Sequence, residues 1–258
     1  MNPAIDRNIL NKEKEFYNYI TSLFTTREEK YFWNSVLDYS YAYVFGGVIK
    51  DYVLGIKKDH RDIDIVVEKI SEDLMNRIEK YLIKKNQFDG LKLKVGNKII
   101  DLWQIDRTWA IRTNTSLNAA NYVQHLPSTS FFNITAIIFS IKDRKFISDK
   151  KFNNFLRDRT LTIVYEDNPF PGLCIIKTYE FYKTLNLKLS DPLKDYIIKY
   201  FENYAHTFKD IQLKHYDKEV YSNNELNEFY KRLVLSRTIQ SKKINYHQNQ
   251  TSLQPWRS

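Results

Sequence analysis

A single stretch in the first third of the chain restricts the fold more than any other. Tyr41 to Phe45 is a short run of aromatic and β-branched residues, which predicts a strand. It leads into Gly46-Gly47 and a pattern typical of a short helix that ends near Gly55. Asp62 to Glu68 alternates polar and apolar side chains, which predicts a second strand. This order of elements indicates a domain that combines helices with a sheet.

Three acidic residues in and after this stretch favour a metal site. Asp62 and Asp64 lie two positions apart on the predicted strand, so both side chains project from the same face. Asp101 lies on a later predicted strand, which we expect to be a neighbour. Adjacent carboxylates repel each other unless a cation lies between them, and Mg²⁺ prefers such oxygen ligands. Together the three would hold two Mg²⁺ ions about 4 Å apart, the arrangement that supports in-line displacement.

The glycine pair indicates which kind of group would bind beside those ions. Gly46 and Gly47 lie where a strand ends and a helix begins, so backbone N–H groups there can bind an anion. Glycine also lets a phosphate approach the backbone closely. The sequence therefore predicts a nucleotide phosphate site beside Mg²⁺.

The rest of the chain predicts an α+β fold, a mixed sheet with flanking helices, followed by a small all-helical domain. Hairpins are expected over residues 91–105 and 131–147, and a helix that begins after Ser71 is expected to include Leu82. After Pro171 the pattern is helical almost to the end. We predict a catalytic domain with N-terminal helices over residues 1–165, a helical domain over 166–240 and a basic, flexible tail over 241–258.

Composition narrows the class of protein. With 258 residues and 43% hydrophobic side chains, the chain has enough apolar material for a packed core. Cys174 is the single cysteine, which favours a reducing compartment. No signal-peptide pattern and no apolar run of membrane-spanning length is present, so we expect a cytoplasmic protein without a membrane partner.

The segment resembles the signature of the nucleotidyltransferase superfamily that includes DNA polymerase beta. It is most similar to the head domain of class II CCA-adding tRNA nucleotidyltransferases and bacterial poly(A) polymerases, whose pattern is Gly-Gly-x-x-Arg-Asp-x-x-Leu-Gly followed by Asp-x-Asp. The matching residues are Gly46, Gly47, Asp51, Leu54, Gly55, Asp62 and Asp64. Lys50 stands where Arg is usual.

The resemblance implies transfer of a nucleotide from an NTP, ATP or CTP, to an acceptor hydroxyl. Asp62, Asp64 and Asp101 would be metal ligands and catalytic residues, and Asp101 would help to activate the acceptor. Gly46 and Gly47 would bind the triphosphate, Lys50 would counter its charge and Asp51 would support the loop or the sugar. The acceptor would be the 3′ end of an RNA.

The later motifs depart from the family pattern. The Arg-Arg-Asp expected before Phe132-Asn133-Ile134-Thr135-Ala136 is missing. The acidic-x-x-Arg motif that selects the base has no clear match, since Cys174 falls near the expected Arg and Glu180 replaces a later one. Ordered addition of C and then A is therefore not expected.

Two alternatives to RNA nucleotidyl transfer remain. The stretch from His60 to Asp64 also resembles lincosamide and aminoglycoside nucleotidyltransferases, which implies a small-molecule acceptor. A protein acceptor is a further form of this alternative. A non-catalytic domain that binds RNA or a partner is the second alternative. The end of the chain favours RNA, because the net charge is +9 and the segment after Glu228 has no acidic residue. The candidate RNA contacts are Lys231, Arg232, Arg237, Lys242 and Lys243.

Overall fold

The computed structural model describes residues 7–56, 62–86, 88–113 and 118–251, with side chains described as far as residue 239. The chain divides into two compact units, Met1–Asn168 and Pro169–Ser258. The sequence placed its boundary three residues earlier, after residue 165.

Two helices begin the described part of the first unit. Helix α1 spans Glu13–Ser22 and α2 spans Arg27–Tyr39. The sequence Thr26-Arg27-Glu28-Glu29 forms a capping box, in which the Thr26 hydroxyl accepts a hydrogen bond from the Glu29 N–H. The Glu29 carboxylate in turn accepts from the Thr25 and Thr26 N–H groups at 2.8 and 3.0 Å. Glu29 is fully buried, so these bonds to one carboxylate oxygen, Oε2, replace part of the hydration that its charge has lost.

A seven-stranded mixed sheet follows, with the order β3-β4-β5-β2-β1-β6-β7. Its strands are β1 (Ala42–Phe45), β2 (Asp62–Val67), β3 (Leu82–Lys85), β4 (Leu91–Val95), β5 (Lys98–Gln104), β6 (Ile137–Ser140) and β7 (Lys145–Ser148). Strands β2 and β5 are parallel neighbours, whereas the other neighbouring pairs are antiparallel. This sheet with its flanking helices confirms the predicted fold class.

The two faces of the sheet have different environments. Ile63 and Ile65 of β2 are almost completely buried on one face, as their alternation with Asp62 and Asp64 predicted. On the other face, part of the surface is covered by a cluster of buried apolar side chains. These are Tyr43, Val66, Ile105, Ile111, Leu126 and Ile138. The carboxylates therefore share their face of the sheet with an apolar wall.

The remaining elements of the first unit are short. They are α3 (Gly47–Val53), α4 (Glu72–Ile78), α5 (Trp109–Thr113), α6 (Tyr122–His125), α7 (Lys150–Asp158) and β8 (Thr160–Leu161). The side chain of Ser71 caps α4, as the sequence predicted.

Two predicted boundaries were wrong. Leu82 does not extend the helix after Ser71, because α4 ends at Ile78 and Leu82 begins the edge strand β3. Most of the strand predicted over residues 131–141 is also absent, because Asn133–Thr135 forms a 3₁₀ turn. The buried Asn133 side chain holds this turn by donating to the Thr160 carbonyl at 2.8 Å and accepting from the Thr162 N–H at 3.0 Å. A buried polar side chain thus anchors the turn through residues 27 and 29 positions further along the chain.

The second unit is mainly helical. Its elements are α8 (Pro171–Leu185), β9 (Lys188–Leu189), α9 (Asp191–Tyr204), α10 (Phe208–Tyr216) and α11 (Asn223–Thr251). Helix α11 continues to Thr251, beyond residue 240, where the sequence ended the helical domain. Among the described helices, none combines the length and apolar character that crossing a bilayer requires.

Substitution of Glu29 tests how much the capping box stabilises the first unit. Burial raises the pKa of Glu29, but the backbone donors of Thr26 and Thr25 outweigh that effect and hold its pKa below the usual value. We expect Glu29→Gln to lower the free energy of unfolding by about 1.5–3 kcal/mol at pH 7, as for hydrogen bonds to a charged group. The exposed neighbour Glu28 provides the control variant Glu28→Gln, which should change it little.

The pH dependence of this difference follows from linkage. The stability from the lowered pKa is fully present above pH 4.5, the ordinary value for Glu, and is lost as the pH falls through the lower folded value. Urea unfolding at several pH values should therefore show the gap between wild type and Glu29→Gln narrowing below about pH 4.5. A gap that stays constant down to pH 3 would contradict this account.

Candidate active site

Two of the predicted carboxylates lie directly opposite each other. Strands β2 and β5 run in parallel, with Asp64 as the register partner of Asp101. Asp62 is the partner of Ile99 and projects from the same face as Asp64, two residues earlier on β2. The mixed sheet thus brings Asp62, Asp64 and Asp101 to one place on its surface.

The glycine loop touches this group directly. Gly46 precedes α3 with φ of +76°, a conformation that side chains other than glycine rarely adopt. A Cβ atom at Gly46 would lie 2.7 Å from Asp64 Oδ2, and the Gly47 N–H donates a hydrogen bond to the same carboxylate. A Cβ atom at Gly47 would meet nothing within 4 Å, so the loop is open on that side. The loop therefore needs glycine at position 46 for a close approach to Asp64.

The electrostatics of Asp64 reflect these neighbours. Burial, followed by the negative charges of Asp101 and Asp62, raises the pKa of Asp64 to about 7. The ammonium of Lys92 and the Gly47 N–H act in the opposite direction. Asp64 is thus a carboxylate whose charge is poorly compensated by the protein, and such groups often mark functional sites.

Lys92 is the site residue that sequence reasoning missed. It lies on β4 as the register partner of Asp101, and its Nζ is 3.4 Å from Asp101 Oδ2. The signal was present in the sequence, because a two-residue turn at Gly96-Asn97 pairs position 92 with position 101. Sequence reasoning recognised the hairpin without following its register to the lysine.

Lys50 and Asp51 lie in α3 and contact each other. The ammonium of Lys50 forms an ion pair with Asp51 Oδ1. Asp51 is 8% exposed, so its carboxylate is largely removed from solvent. Both residues are thus held close behind the Gly46-Gly47 loop, in the helix that begins there.

The donor set suits a hard divalent cation. Asp62, Asp64 and Asp101 offer carboxylate oxygens, and the charges of Asp101 and Asp62 that help to raise the pKa of Asp64 would also attract a cation. Asp62 and Asp64 form no ion pair with any described residue. Nor do residues 7–56, 62–86, 88–113 and 118–251 contain a group of three His, Cys, Asp or Glu placed to hold a metal ion. The carboxylates of Asp62 and Asp64 fit Mg²⁺ in their chemistry, whereas Asp101 has the Lys92 ammonium beside it.

The candidate RNA contacts are in different environments. Arg237 forms ion pairs with Asp195, at 2.7 Å, and with Asp191, at 3.1 Å. Lys231 pairs with Glu228 at 2.9 Å, whereas Arg232 is exposed. Lys242 and Lys243 lie on α11, but their side chains are outside the described part of the chain. Internal acidic partners therefore already neutralise Lys231 and Arg237.

The residues that depart from the family's base-selecting motif lie on α8 in the second unit. Cys174 is buried, which raises the pKa of its thiol to about 12. Glu180 accepts hydrogen bonds from the Tyr216 hydroxyl at 2.7 Å and from the Lys177 ammonium at 3.0 Å. The Tyr216 contact ties α8 to α10, so Glu180 has structural partners within the helical unit.

Comparison with solved structures confirms the nucleotidyltransferase type of fold. A CCA-adding enzyme with ATP is 16% identical with a TM-score of 0.58, and the match covers 90% of this chain and 55% of that one. A tRNA nucleotidyltransferase with a primer tRNA and an incoming ATP analog is 18% identical with a TM-score of 0.56, covering 79% and 60%. The CCA-adding enzyme of Thermotoga maritima with tRNA is 16% identical with a TM-score of 0.55, covering 90% and 55%.

These likenesses concern the fold. The chain spans about 55% to 60% of the length of the solved chains just described. No protein-family model and no curated protein sequence matches it. The similarity is therefore one of three-dimensional architecture, at sequence identities below the level at which activity can be transferred.

The two positive-φ glycines on either side of α3 allow a matched test of the loop. Gly46→Ala and Gly55→Ala both place a side chain at positive φ, a conformation that residues other than glycine rarely adopt. Only Gly46→Ala also forces a Cβ against Asp64, since a Cβ at Gly55 meets nothing within 4 Å. We expect the free energy of unfolding to fall by at least about 1 kcal/mol more for Gly46→Ala. Equal losses in urea unfolding would show that the Asp64 contact is unimportant.

The pKa of Asp64 predicts an unusual pH dependence. Because its folded pKa lies above the ordinary value of 3.8, metal-free protein should lose stability as the pH rises from about 4 to about 7. Asp64→Asn removes that loss. The free energy of unfolding of this variant, relative to that of wild type, should therefore rise by at most about 1.4 kcal/mol per pH unit in this range. Asp62→Asn, at the exposed position on the same face, is the control and should have a smaller effect. Urea unfolding in EDTA measures both; identical slopes for wild type and Asp64→Asn would contradict the assignment.

Proposed function

We propose that this protein is a Mg²⁺-dependent nucleotidyltransferase that moves an NMP from ATP or CTP to the 3′ hydroxyl of an RNA. The observation that carries this proposal is the register pairing of Asp64 with Asp101 next to the Gly46-Gly47 loop. It occurs in a fold similar to CCA-adding enzymes and tRNA nucleotidyltransferases, some of them solved with ATP or tRNA. The combination supports the activity more strongly than either the motif or the fold alone.

In this proposal the carboxylates of Asp62 and Asp64 hold Mg²⁺. When bound, the metal neutralises the phosphate charge that develops during displacement. Asp62 is exposed and Asp64 is partly buried, so the pair can face a solvent-borne substrate from a fixed strand. The strand is rigid because Ile63 and Ile65 anchor its other face in the core.

Asp101 is the proposed general base. The acceptor hydroxyl oxygen would attack the α-phosphorus, pyrophosphate would leave, and the hydroxyl proton would pass to the Asp101 carboxylate. Asp101 is suited to this role because it lies one strand away from Asp64 and is fixed by the β2–β5 register. Its 28% exposed side chain remains accessible to an acceptor.

The triphosphate would lie against Gly46 and Gly47, on the side where a Cβ at Gly47 would meet open space. Lys50 follows within α3 and would counter the phosphate charge while it remains paired with Asp51. Asp51 would act mainly by supporting the loop, since it is buried.

RNA is the favoured acceptor for two reasons. The chain carries a net charge of +9, which favours contacts with phosphates, and two similar folds were solved with tRNA. Lys231 and Arg237 are engaged with acidic partners, so Arg232, Lys242 and Lys243 are the stronger candidates for RNA contacts. With an RNA acceptor we propose a role in tRNA processing in the cytoplasm.

The activity is tested by incubating the purified chain with each labelled NTP, Mg²⁺ and total RNA. We expect label on RNA, and a loss of at least about a thousandfold in rate for Asp62→Ala and Asp64→Ala, because the metal contributes several kcal/mol to the transition state. Asp73→Ala, an exposed acidic position on α4, is the control and should retain the wild-type rate.

Three outcomes distinguish the alternatives. Label on small hydroxyl compounds but not on RNA would establish the small-molecule acceptor instead. Near-normal rates for either Asp62→Ala or Asp64→Ala would contradict the metal mechanism. RNA binding without transfer of any NTP would indicate a non-catalytic domain. Circular dichroism of each variant checks that the fold is retained.

A further inference from the structure

Lys92 belongs to the carboxylate site by geometry, although nothing in the family pattern assigns it a role. Its position is fixed by the β4–β5 hairpin, in which Val95 pairs with Lys98 across the Gly96-Asn97 turn. A shift of one residue would move every side chain of β4 to the other face of the sheet and expose Leu91, Leu93 and Val95, which are now buried. Lys92 therefore cannot leave the side of Asp101 by a change in register.

The turn itself is also fixed. Gly96 has φ of +60°, and a Cβ atom there would lie 2.9 Å from Glu29 Oε1. The buried carboxylate of Glu29 thus packs against the turn that sets the pairing of Lys92 with Asp101. The position of the lysine is built into the fold.

The contact is specific to one of the three carboxylates. Lys92 Nζ lies 3.4 Å from Asp101 Oδ2, and the two side chains are 35% and 28% exposed. Within the described residues, neither Asp62 nor Asp64 forms an ion pair. The charge of Lys92 also reaches Asp64, where it opposes the effect of the neighbouring carboxylates.

A divalent cation at Asp101 would have to compete with this ammonium. Both are attracted to the same carboxylate oxygens, and two positive charges a few ångströms apart repel each other strongly in a partly desolvated site. A cation between Asp62 and Asp64 meets less of this competition, because Lys92 contacts Asp101. The three carboxylates are therefore unequal as metal ligands.

We propose that Lys92 is a positioning residue that acts as a built-in counter-ion for Asp101, so that the free protein binds one divalent cation tightly at Asp62 and Asp64 and a second only weakly. This inference rests on the proposed function, since it concerns the same metal site. It predicts that the second cation binds only when Lys92 is displaced from Asp101.

Mn²⁺ binding to the full chain, without nucleotide, tests the proposal by isothermal titration calorimetry and by electron paramagnetic resonance of free Mn²⁺. Wild type should bind one Mn²⁺ tightly and a second weakly. Lys92→Met should tighten the weaker site at least about tenfold, as expected when a nearby positive charge is removed. Lys92→Arg keeps the charge and should resemble wild type.

Lys94→Met is the matched control. Lys94 lies on the same strand and the same face as Lys92, but it pairs with Ile99 and is exposed. It should leave both Mn²⁺ sites unchanged. If Lys92→Met does not fold, as judged by circular dichroism, Lys92→Gln replaces it, because the amide also removes the charge.

A double-mutant cycle tests whether the effect operates through Asp101. In an Asp101→Asn background, Lys92→Met should no longer tighten the weaker site. Equal Mn²⁺ affinities for wild type and Lys92→Met would overturn this inference while leaving the proposed function intact. No Mn²⁺ binding by any variant would overturn the proposed metal mechanism, and the inference with it. Tightening that persists with Asp101→Asn would also overturn the inference, because Lys92 would then act elsewhere.

Discussion

Repulsion between neighbouring carboxylates is the interaction on which the site depends. Asp64 and Asp101 are held opposite each other by the parallel pairing of β2 and β5, and Asp62 projects beside them. In water such groups would move apart, but on paired strands they cannot. Burial, followed by the charges of these neighbours, raises the pKa of Asp64 to about 7. The unfavourable free energy of this repulsion must be offset by favourable contacts elsewhere in the fold.

The apolar side of the sheet provides that free energy. Ile63 and Ile65, which alternate with the two aspartates, are almost completely buried. Each buried side chain of this kind contributes about 1.5–3 kcal/mol, comparable with the cost of holding one ionised carboxylate near another. Because side chains alternate along a strand, the six residues of β2 bury apolar side chains on one face of the sheet and hold two mutually repelling aspartates on the other.

The protein also compensates the repulsion unevenly. The Gly47 N–H reaches Asp64, whereas a full positive charge from Lys92 reaches Asp101. Asp101 thus has an ammonium beside it, whereas the charge of Asp64 is less fully compensated. In the proposed reaction Asp101 would accept the proton of the acceptor hydroxyl, which requires that its oxygens be accessible to that hydroxyl.

Several elements could be predicted from the sequence because they depend on local chemistry. The capping box at Thr26, the cap at Ser71, the 91–105 hairpin and the spacing of Asp62 and Asp64 all follow from residues within a few positions of each other. The type of fold was predicted as well, through the glycine and aspartate motif. The error at Leu82 has a local cause, because an apolar residue at helical spacing suits an edge strand equally well.

Which charges meet depends on the three-dimensional packing of the chain. The pairing of Asp64 with Asp101 joins residues 37 positions apart, and no local pattern specifies whether two such strands are adjacent. The same holds for Arg237. The sequence predicted it as an RNA contact, whereas in the structure it forms ion pairs with Asp191 and Asp195 of the helical unit. Electrostatic partners depend on distance in space, which short-range patterns in a sequence do not encode, and so the charged neighbours of each side chain follow from the packing of the sheet and of the helices.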